Sequence, residues 1–112
     1  MKIIGNHKKS DNMNIKIYQA NDKCKFKFMR YSFVEKFFNG NVDFERNYKK
    51  VYEFEEEYEG DINTLLEGIY IRFQGLKPSG YSGHSLSVSD IVEVDGERYY
   101  VDSYGYKKLS VG

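Results

Sequence analysis

The sequence predicts one α+β domain, a mainly antiparallel sheet with two helices packed on one face, in the order β-β-α-β-α-β-β. Two observations lead to this fold class. Segments with alternating apolar residues are interrupted twice by segments whose apolar residues recur at helical spacing. The 112 residues also include eleven Tyr, eight Phe and one Pro, which gives enough apolar volume for one core and too little length for two.

The first predicted elements lie in the N-terminal part of the chain. Residues 7–12 are polar and lack periodicity, so we predict a flexible tail over residues 1–13, followed by a single domain over residues 14–112. Residues 14–20 alternate and form the first predicted strand. Residues 23–29 alternate again, with lysines on one side and a cysteine and two phenylalanines on the other, which predicts a second, half-buried strand.

Two capping boxes mark the starts of the predicted helices. In this motif a Ser or Thr side chain and a Glu three residues later each satisfy a free backbone N–H group. The motifs are Ser32 with Glu35, for a short helix near residues 32–39, and Thr64 with Glu67, for a helix near residues 64–74. Asn39-Gly40 is suited to end the first helix in the left-handed conformation. A third strand over residues 48–55 is predicted between the two helices.

A hairpin near the C-terminus is the strongest local signal. Asp95-Gly96 separates two β-rich runs, and these residue types tolerate the positive φ angles of a type I′ turn. The predicted cross-strand pairs are Val94–Glu97, Glu93–Arg98, Val92–Tyr99 and Ile91–Tyr100, and one face carries Val92, Val94, Tyr99 and Val101. We therefore place the hairpin 91–103 at the centre of the sheet.

The charge distribution limits the classes of partner. The chain has 17 Lys and Arg against 17 Asp and Glu, so no overall positive field attracts nucleic acid. The first 50 residues are net basic and the remainder is net acidic. This asymmetry disappears if strands from the two halves interleave, which is the arrangement we expect.

Cysteine content and hydropathy bear on the compartment. The single Cys24 excludes an intrachain disulfide and suits a reducing environment. No apolar run approaches the ~20 residues of a membrane span, and the apolar segment at the N-terminus is too short for a signal peptide. We therefore expect a cytoplasmic protein.

A polar cluster precedes the hairpin and contains the residue types of nucleophilic catalysis. Its members are His84, Ser85, Ser87, Ser89 and Asp90, with Asp102 and Ser103 further along. No serine lies in the glycine-flanked turn of a hydrolase nucleophile. We interpret the alternating serines as turn residues whose side chains bond to the backbone. His7 and His84 lie far apart in sequence and no nucleotide-binding glycine motif is present, so we expect no metal, no cofactor and no catalysis.

Two further segments leave alternatives open. The acidic run Glu55-Glu56-Glu57-Tyr58-Glu59-Gly60-Asp61 fits phosphate mimicry, metal binding, or a solvated connection between strand and helix; we favour the connection. Tyr104-Gly105-Tyr106 fits a base-stacking platform or simple packing, and we favour packing.

The chain resembles the family of YodL-like domains over roughly residues 14–109. The matching segments are Ile17-Tyr18-Gln19, Tyr48 to Glu53, Leu66-Glu67-Gly68-Ile69-Tyr70 through Phe73, Gly83-His84-Ser85-Leu86-Ser87-Val88-Ser89-Asp90-Ile91-Val92, and Tyr99-Tyr100-Val101-Asp102-Ser103-Tyr104-Gly105-Tyr106. Gln74-Gly75-Leu76-Lys77-Pro78 departs from the family's usual Asn-Ile-Asp-His-Pro-like run, so a partner contact made there is expected to differ.

The resemblance implies an origin and a class of function. YodL-like domains occur in proteins of conjugative elements, plasmids and phages of low-GC Gram-positive bacteria, often within multidomain proteins and without an assigned catalytic mechanism. Here we expect the domain to stand alone. It is then expected to be a non-enzymatic protein-binding module that inhibits a host defence nuclease, either a Cas9-type CRISPR effector or its guide complex, or a restriction nuclease. The alternative is a nucleic-acid-binding accessory module of conjugation or plasmid maintenance.

Two candidate partner-binding surfaces follow from the sequence. The first is the acidic run, comprising Glu55, Glu56, Glu57, Tyr58, Glu59 and Asp61, with Tyr58 as an exposed anchor. The second combines His84, Ser85 and Asp90 with Tyr104 and Tyr106. We expect the acidic run to face the positively charged channels that such effectors use for nucleic acid.

Overall fold

The computed structural model describes residues 12–110, which contain five strands and three helices. In chain order the elements are β1 (Asn12–Ala20), α1 (Tyr31–Phe38), α2 (Phe44–Asn47), β2 (Tyr48–Glu57), α3 (Ile62–Arg72), β3 (Ile91–Val94), β4 (Glu97–Val101) and β5 (Tyr106–Lys108). β1 begins two residues before the predicted start of the domain. The rest of the predicted tail, residues 1–11, lies outside the described residues.

The five strands form one antiparallel sheet in the order β2-β1-β3-β4-β5. β1, from the basic part of the sequence, therefore lies between β2 and β3, so strands from the two halves of the chain interleave. The predicted α+β class with a mainly antiparallel sheet is confirmed. Within residues 12–110, no helix is both long enough and apolar enough to span a lipid bilayer.

The predicted C-terminal hairpin is confirmed in its register. Asp95 and Gly96 adopt φ angles of 49° and 87°, and all four predicted cross-strand pairs of β3 and β4 are present. Arg98 Nε lies 3.1 Å from Glu93 Oε1, as the predicted charge pair requires. The Asp95 carboxylate also accepts a hydrogen bond from the backbone N–H of Asn14 at 2.8 Å. This bond ties the hairpin turn to β1.

The two longer helices contribute to different core clusters, which lie on opposite faces of the sheet. The first cluster, which we call the main core, joins α3 to Val92 and Val94 of β3. The second joins α1 to Ile91 and Tyr100. Successive residues of a strand point to opposite faces, so Ile91 and Val92 assign the clusters to the two sides. The prediction that both helices share one face is thus corrected. All four residues of β3 are buried, because this strand is covered on both sides.

Residues 23–29 form turns and do not form the predicted second strand. Phe28 has a φ of 68°, which is incompatible with an extended strand. The alternation of the sequence is still used, because Cys24 and Phe26 are buried in the cluster under α1 while Lys23 and Lys25 are exposed. The period of two therefore predicted the burial of Cys24 and Phe26 correctly, whereas the predicted burial of Phe28, which is exposed, and the extended backbone were wrong.

Neither helix begins at the predicted capping box. α1 begins at Tyr31. A residue outside the helix accepts the hydrogen bond of its first N–H group, since the Tyr31 N–H donates to Asp102 Oδ1 at 3.0 Å. α3 begins at Ile62, where the Asp61 side chain accepts from the Thr64 N–H. The predicted left-handed end of α1 is confirmed at Asn39, with a φ of 56°.

Candidate functional site

The acidic segment begins inside a strand, which corrects its interpretation as a connection. Glu55, Glu56 and Glu57 are the last three residues of β2, and only residues 58–61 connect β2 to α3. Side chains alternate between the two faces of a strand. Glu55 and Glu57 are exposed together with Glu53, whereas Glu56 faces α3.

Hydrogen bonds orient these carboxylates. Glu53 Oε1 accepts from Lys50 Nζ at 2.6 Å, and its other oxygen accepts from the Asn14 amide at 3.2 Å. These two hydrogen bonds, that from Lys50 first, lower the pKa of Glu53 and keep it ionised. Glu55 Oε1 accepts from the Asn12 amide at 3.2 Å. The outer face of β2 therefore presents a row of negative charges, Glu53, Glu55 and Glu57, which we call the acidic row.

The remaining residues of the acidic run form the connection to α3 and stabilise it. Tyr58 is half-buried against the main core, and its hydroxyl donates to the Asp61 carbonyl at 2.8 Å. Asp61 caps α3. Glu59 is exposed in the connection itself. Tyr58 therefore packs and bonds locally, and it is less exposed than the sequence suggested.

The second predicted surface is built around a buried polar network. Gln19 of β1 is 1% exposed, and its amide nitrogen donates to Asp90 Oδ2 at 3.0 Å and to the His84 carbonyl at 2.9 Å. Its oxygen accepts from the His84 N–H at 3.1 Å. Asp90, also 1% exposed, accepts from the Ser87 N–H at 2.7 Å. The network holds the loop over residues 84–90 against β1, and the buried Asp90 carboxylate accepts hydrogen bonds from both β1 and the loop.

Burial changes the titration of the groups around Asp90. Desolvation raises the pKa of Asp90 to about 7, although the hydrogen bonds from Ser87 and Gln19 oppose the rise. Desolvation likewise raises the pKa of Tyr81 to about 12, with the nearby Asp90 charge adding to the effect. The Tyr81 hydroxyl donates to the His84 carbonyl at 2.9 Å. These groups are structural parts of the loop.

The serines of the loop bond to the backbone, as predicted. Ser85 Oγ donates to the Gln74 carbonyl at 3.1 Å, and Ser87 Oγ donates to the Ser85 carbonyl at 2.8 Å. The Ser89 hydroxyl oxygen accepts from the Phe28 N–H at 2.8 Å. His84 Nδ1 lies 2.7 Å from the Ser85 carbonyl. The hydroxyl groups of this loop therefore link the loop to its surroundings.

Tyr104 and Tyr106 are not brought together on one surface. Tyr104 lies in the turn between β4 and β5 and is 94% exposed. Tyr106 is partly buried against the main core, and its hydroxyl donates to Glu67 Oε1 at 2.7 Å. The predicted packing role is met by Tyr106. Tyr104 remains available to a partner.

Sequence reasoning missed two residues that contact the loop over residues 84–90, the buried Gln19 and the exposed Phe28. The Phe28 ring is 55% exposed and lies 5.4 Å from the His84 ring. Neither residue is close in sequence to the loop. A signal for Gln19 was present, because alternation places it on the same face as Ile15 and Ile17, and a buried polar side chain needs hydrogen-bond partners.

Two surface hollows complete the candidate sites. A groove of about 380 Å³ lies between β2 and the segment after α3, lined by Tyr52, Phe54, Arg72, Phe73, Leu76 and Lys77. A hollow of about 260 Å³ lies beside α1 and α2, and its lining includes the basic residues Lys23, Lys25 and Arg46 together with Asp43. Among residues 12–110, no three His, Cys, Asp or Glu side chains are grouped so that they could hold a metal ion.

A model of the YodL-like domain matches residues 13–111. No curated protein matches the chain, and no solved structure matches it. Apart from Asn12 at the start of β1, the match spans all five strands and all three helices described above. The matched residues include both the acidic row and the loop over residues 84–90.

Proposed function

Since the chain belongs to the family of YodL-like domains, we propose that it is a protein-binding module, without catalytic activity, encoded on a mobile genetic element. It acts in the cytoplasm of a low-GC Gram-positive host and inhibits a defence nuclease. The target is a Cas9-type CRISPR effector or its guide complex, with a restriction nuclease as the other member of the same class.

The acidic row is the observation that supports this proposal. Glu53, Glu55 and Glu57 occupy alternate positions of one strand, so neighbouring carboxylates are spaced by ~7 Å along the strand. A row of fixed negative charges complements the positively charged channels in which such effectors hold nucleic acid. Complementary charge also accelerates the encounter between two proteins.

The geometry of the row favours binding over a purely solvating role. Asn12 and Asn14 of β1 hold two of the carboxylates from the same face of the sheet. Ordered side chains lose less conformational entropy when a partner binds them. Arg72 pairs with Glu56 on the opposite face at 2.8 Å, and Lys50 pairs with Glu53 at 2.6 Å. Among residues 12–110, Glu55 and Glu57 are thus the members of the acidic row without an ion-pair partner.

The test combines recovery of a partner with an assay of interference. The full chain is used as bait in a lysate of a low-GC Gram-positive host that carries a CRISPR system, and plasmid interference is measured in parallel. We expect recovery of the nuclease or its guide complex and reduced interference. Unchanged interference without a recovered nuclease would refute the proposal.

A matched pair of charge reversals tests the surface. Glu55→Lys with Glu57→Lys should slow association about tenfold and reduce its salt dependence. Glu35→Lys with Glu45→Lys makes the same change in charge at exposed positions on α1 and α2, and should affect binding much less. Equal effects of the two pairs would show that net charge matters and the acidic row does not.

A second candidate function is binding of nucleic acid as an accessory module. The hollow lined by Lys23, Lys25 and Arg46 favours it, because these three cations lie together with Phe38, a partly exposed aromatic residue. Submicromolar binding of single-stranded DNA that falls steeply with salt, and that is lost in Lys25→Glu with Arg46→Glu, would establish this function.

A further inference from the structure

The outer edge of β2 is open over its second half. β2 is the first strand of the sheet and has a neighbour, β1, on one side only. The loop before β3 reaches this edge at Val51, whose carbonyl accepts from the Ser82 N–H at 3.1 Å. Within residues 12–110, the backbone of residues 53–57 has no hydrogen-bond partner outside the pairing with β1. Such an edge is a template of ~14 Å for another strand.

The groove described above borders this edge on the α3 side. It is lined by the rings of Tyr52, Phe54 and Phe73 and by Leu76. Leu76 is 99% exposed, and Arg72 lies over the Phe54 ring at 5.5 Å. An apolar side chain on an added strand would therefore be covered on this face.

The opposite face of the same edge carries the acidic row. On an antiparallel or parallel neighbour, residues beside Glu53, Glu55 and Glu57 lie on the same face of the sheet. Opposite charges at such cross-strand positions stabilise the pairing, and like charges destabilise it. The two faces therefore favour different residues at alternate positions of the added strand, basic residues beside the acidic row and apolar residues beside the groove.

We propose that β2 binds a partner by strand addition along residues 53–57, and that the added strand alternates basic with apolar residues. The basic residues pair with the acidic row and the apolar residues enter the groove of Tyr52, Phe54 and Leu76. The choice of a protein partner rests on the proposed function. Strand addition goes further, because it specifies the chemistry of the segment that β2 binds.

A second copy of this chain does not fit the same edge. Antiparallel self-pairing of residues 53–57 places Glu53 opposite Glu57 and Glu55 opposite itself. Each of these is a like-charge pair, which disfavours the dimer. The loop at Val51 and Ser82 blocks a longer overlap, in which Lys49 and Lys50 would neutralise the acidic end.

The test uses synthetic peptides and the full chain. The probe is a peptide of about seven residues, long enough for the ~14 Å edge, in which lysine alternates with valine or phenylalanine. One control has the same composition with the lysines in a block, and another has glutamate for lysine. We expect the alternating lysine peptide to bind about tenfold tighter than either control. It should also slow hydrogen exchange of those amides of residues 53–57 that point away from β1.

Two sets of variants separate the two faces. Leu76→Asp should weaken the peptide about tenfold, whereas Ile71→Asp, at another exposed apolar position, should not. Glu55→Lys with Glu57→Lys should reverse the preference in favour of the glutamate peptide. Because all these side chains are exposed, the melting temperature of each variant checks that the fold is retained.

The outcomes distinguish this proposal from the proposed function. Equal binding of the alternating and block peptides, or absence of protection at residues 53–57, overturns strand addition. Full protection, in the free protein, of the amides that point away from β1 also overturns it, and the oligomeric state then shows whether a second copy or the same chain covers the edge. If the peptide binds as expected but no nuclease is recovered, only the proposed target fails.

Discussion

The Gln19 side-chain amide donates a hydrogen bond of 3.0 Å to the Asp90 carboxylate, although the two residues are 71 positions apart. The same side chain donates to the carbonyl of His84 and accepts from its N–H. One residue of β1 thereby holds both ends of the loop over residues 84–90. Loss of a buried partner costs about 1–3 kcal/mol, so the conformation of this loop depends on β1.

Gly83→Ala should destabilise the fold, because the Gln19 side chain occupies the space of an added methyl group. A Cβ at this position would collide with Gln19 Oε1 and would lie 3.0 Å from Val51 Cγ1. We expect a loss of about 1–3 kcal/mol in the free energy of unfolding, measured by denaturant titration. Hydrogen exchange should also become faster at the His84 amide.

Gly68→Ala is the matched control for this substitution. Gly68 lies within α3, and a Cβ there would meet no atom within 4 Å. Alanine in a helix interior is better than glycine by about 0.5–1 kcal/mol. The two glycine variants should therefore change stability in opposite directions; destabilisation by both would contradict the steric explanation.

Asp90→Asn should remove a pH dependence of stability. Burial raises the folded-state pKa of Asp90 from 3.8 to about 7, so between these values the folded state binds more protons than the unfolded state. The stabilisation is full below the lower value and is lost as pH rises through the upper one. In this window the free energy of unfolding should fall by at most about 1.4 kcal/mol per pH unit, relative to the variant.

Chemical denaturation at closely spaced pH values checks this prediction. The difference between the native protein and Asp90→Asn isolates the titration of one carboxyl group. It should level off on both sides of the window. A difference that instead rises with pH would show that Ser87 and Gln19 stabilise the ionised carboxylate more than burial disfavours it.

The sequence predicted the parts of the fold in which local chemistry and tertiary packing agree. The hairpin is the best example, because Asp95-Gly96 sets the turn and the alternation of apolar residues sets the same register. Residues 23–29 show the opposite case. Their alternation reflects burial of Cys24 and Phe26 under α1, and burial of alternate residues does not require an extended backbone.

The candidate sites were predictable only where one segment supplies all the residues. The acidic row lies within a single strand, so Glu55 and Glu57 were found, whereas Glu53 and the alternation of Glu56 to the other face were missed. The loop network needs Gln19, and the groove needs residues from β2 and from the segment after α3. These contacts depend on the order of the strands in the sheet. That order cannot be predicted from any single segment of the sequence.

Asp61→Ala should destabilise the protein by about 1 kcal/mol, which is typical for the loss of an N-cap. The Asp61 carboxylate accepts from the Thr64 N–H at 3.1 Å. Ser32→Ala is the control, since α1 has no side-chain cap and begins at Tyr31. It should change stability by less than about 0.5 kcal/mol. Thermal unfolding of both variants distinguishes this assignment from the capping box that the sequence suggested at Ser32.

Phe28→Gly should be more stable than Phe28→Ala by about 1 kcal/mol, because the left-handed conformation penalises any residue with a Cβ. Phe28 has a φ of 68°, and its N–H is held by the Ser89 hydroxyl oxygen. Both variants lose the same ring, so the difference between them isolates the backbone strain. Equilibrium unfolding in denaturant measures the difference directly.

Phe37 provides the reference pair for this comparison. It lies in α1 and is 58% exposed, close to the exposure of Phe28. In a helix interior alanine is better than glycine by about 1 kcal/mol, so Phe37→Gly should be the less stable of its pair. An inverted order at position 28 together with the normal order at position 37 would locate strain beside His84. The same order at both positions would show that the backbone at Phe28 relaxes without cost.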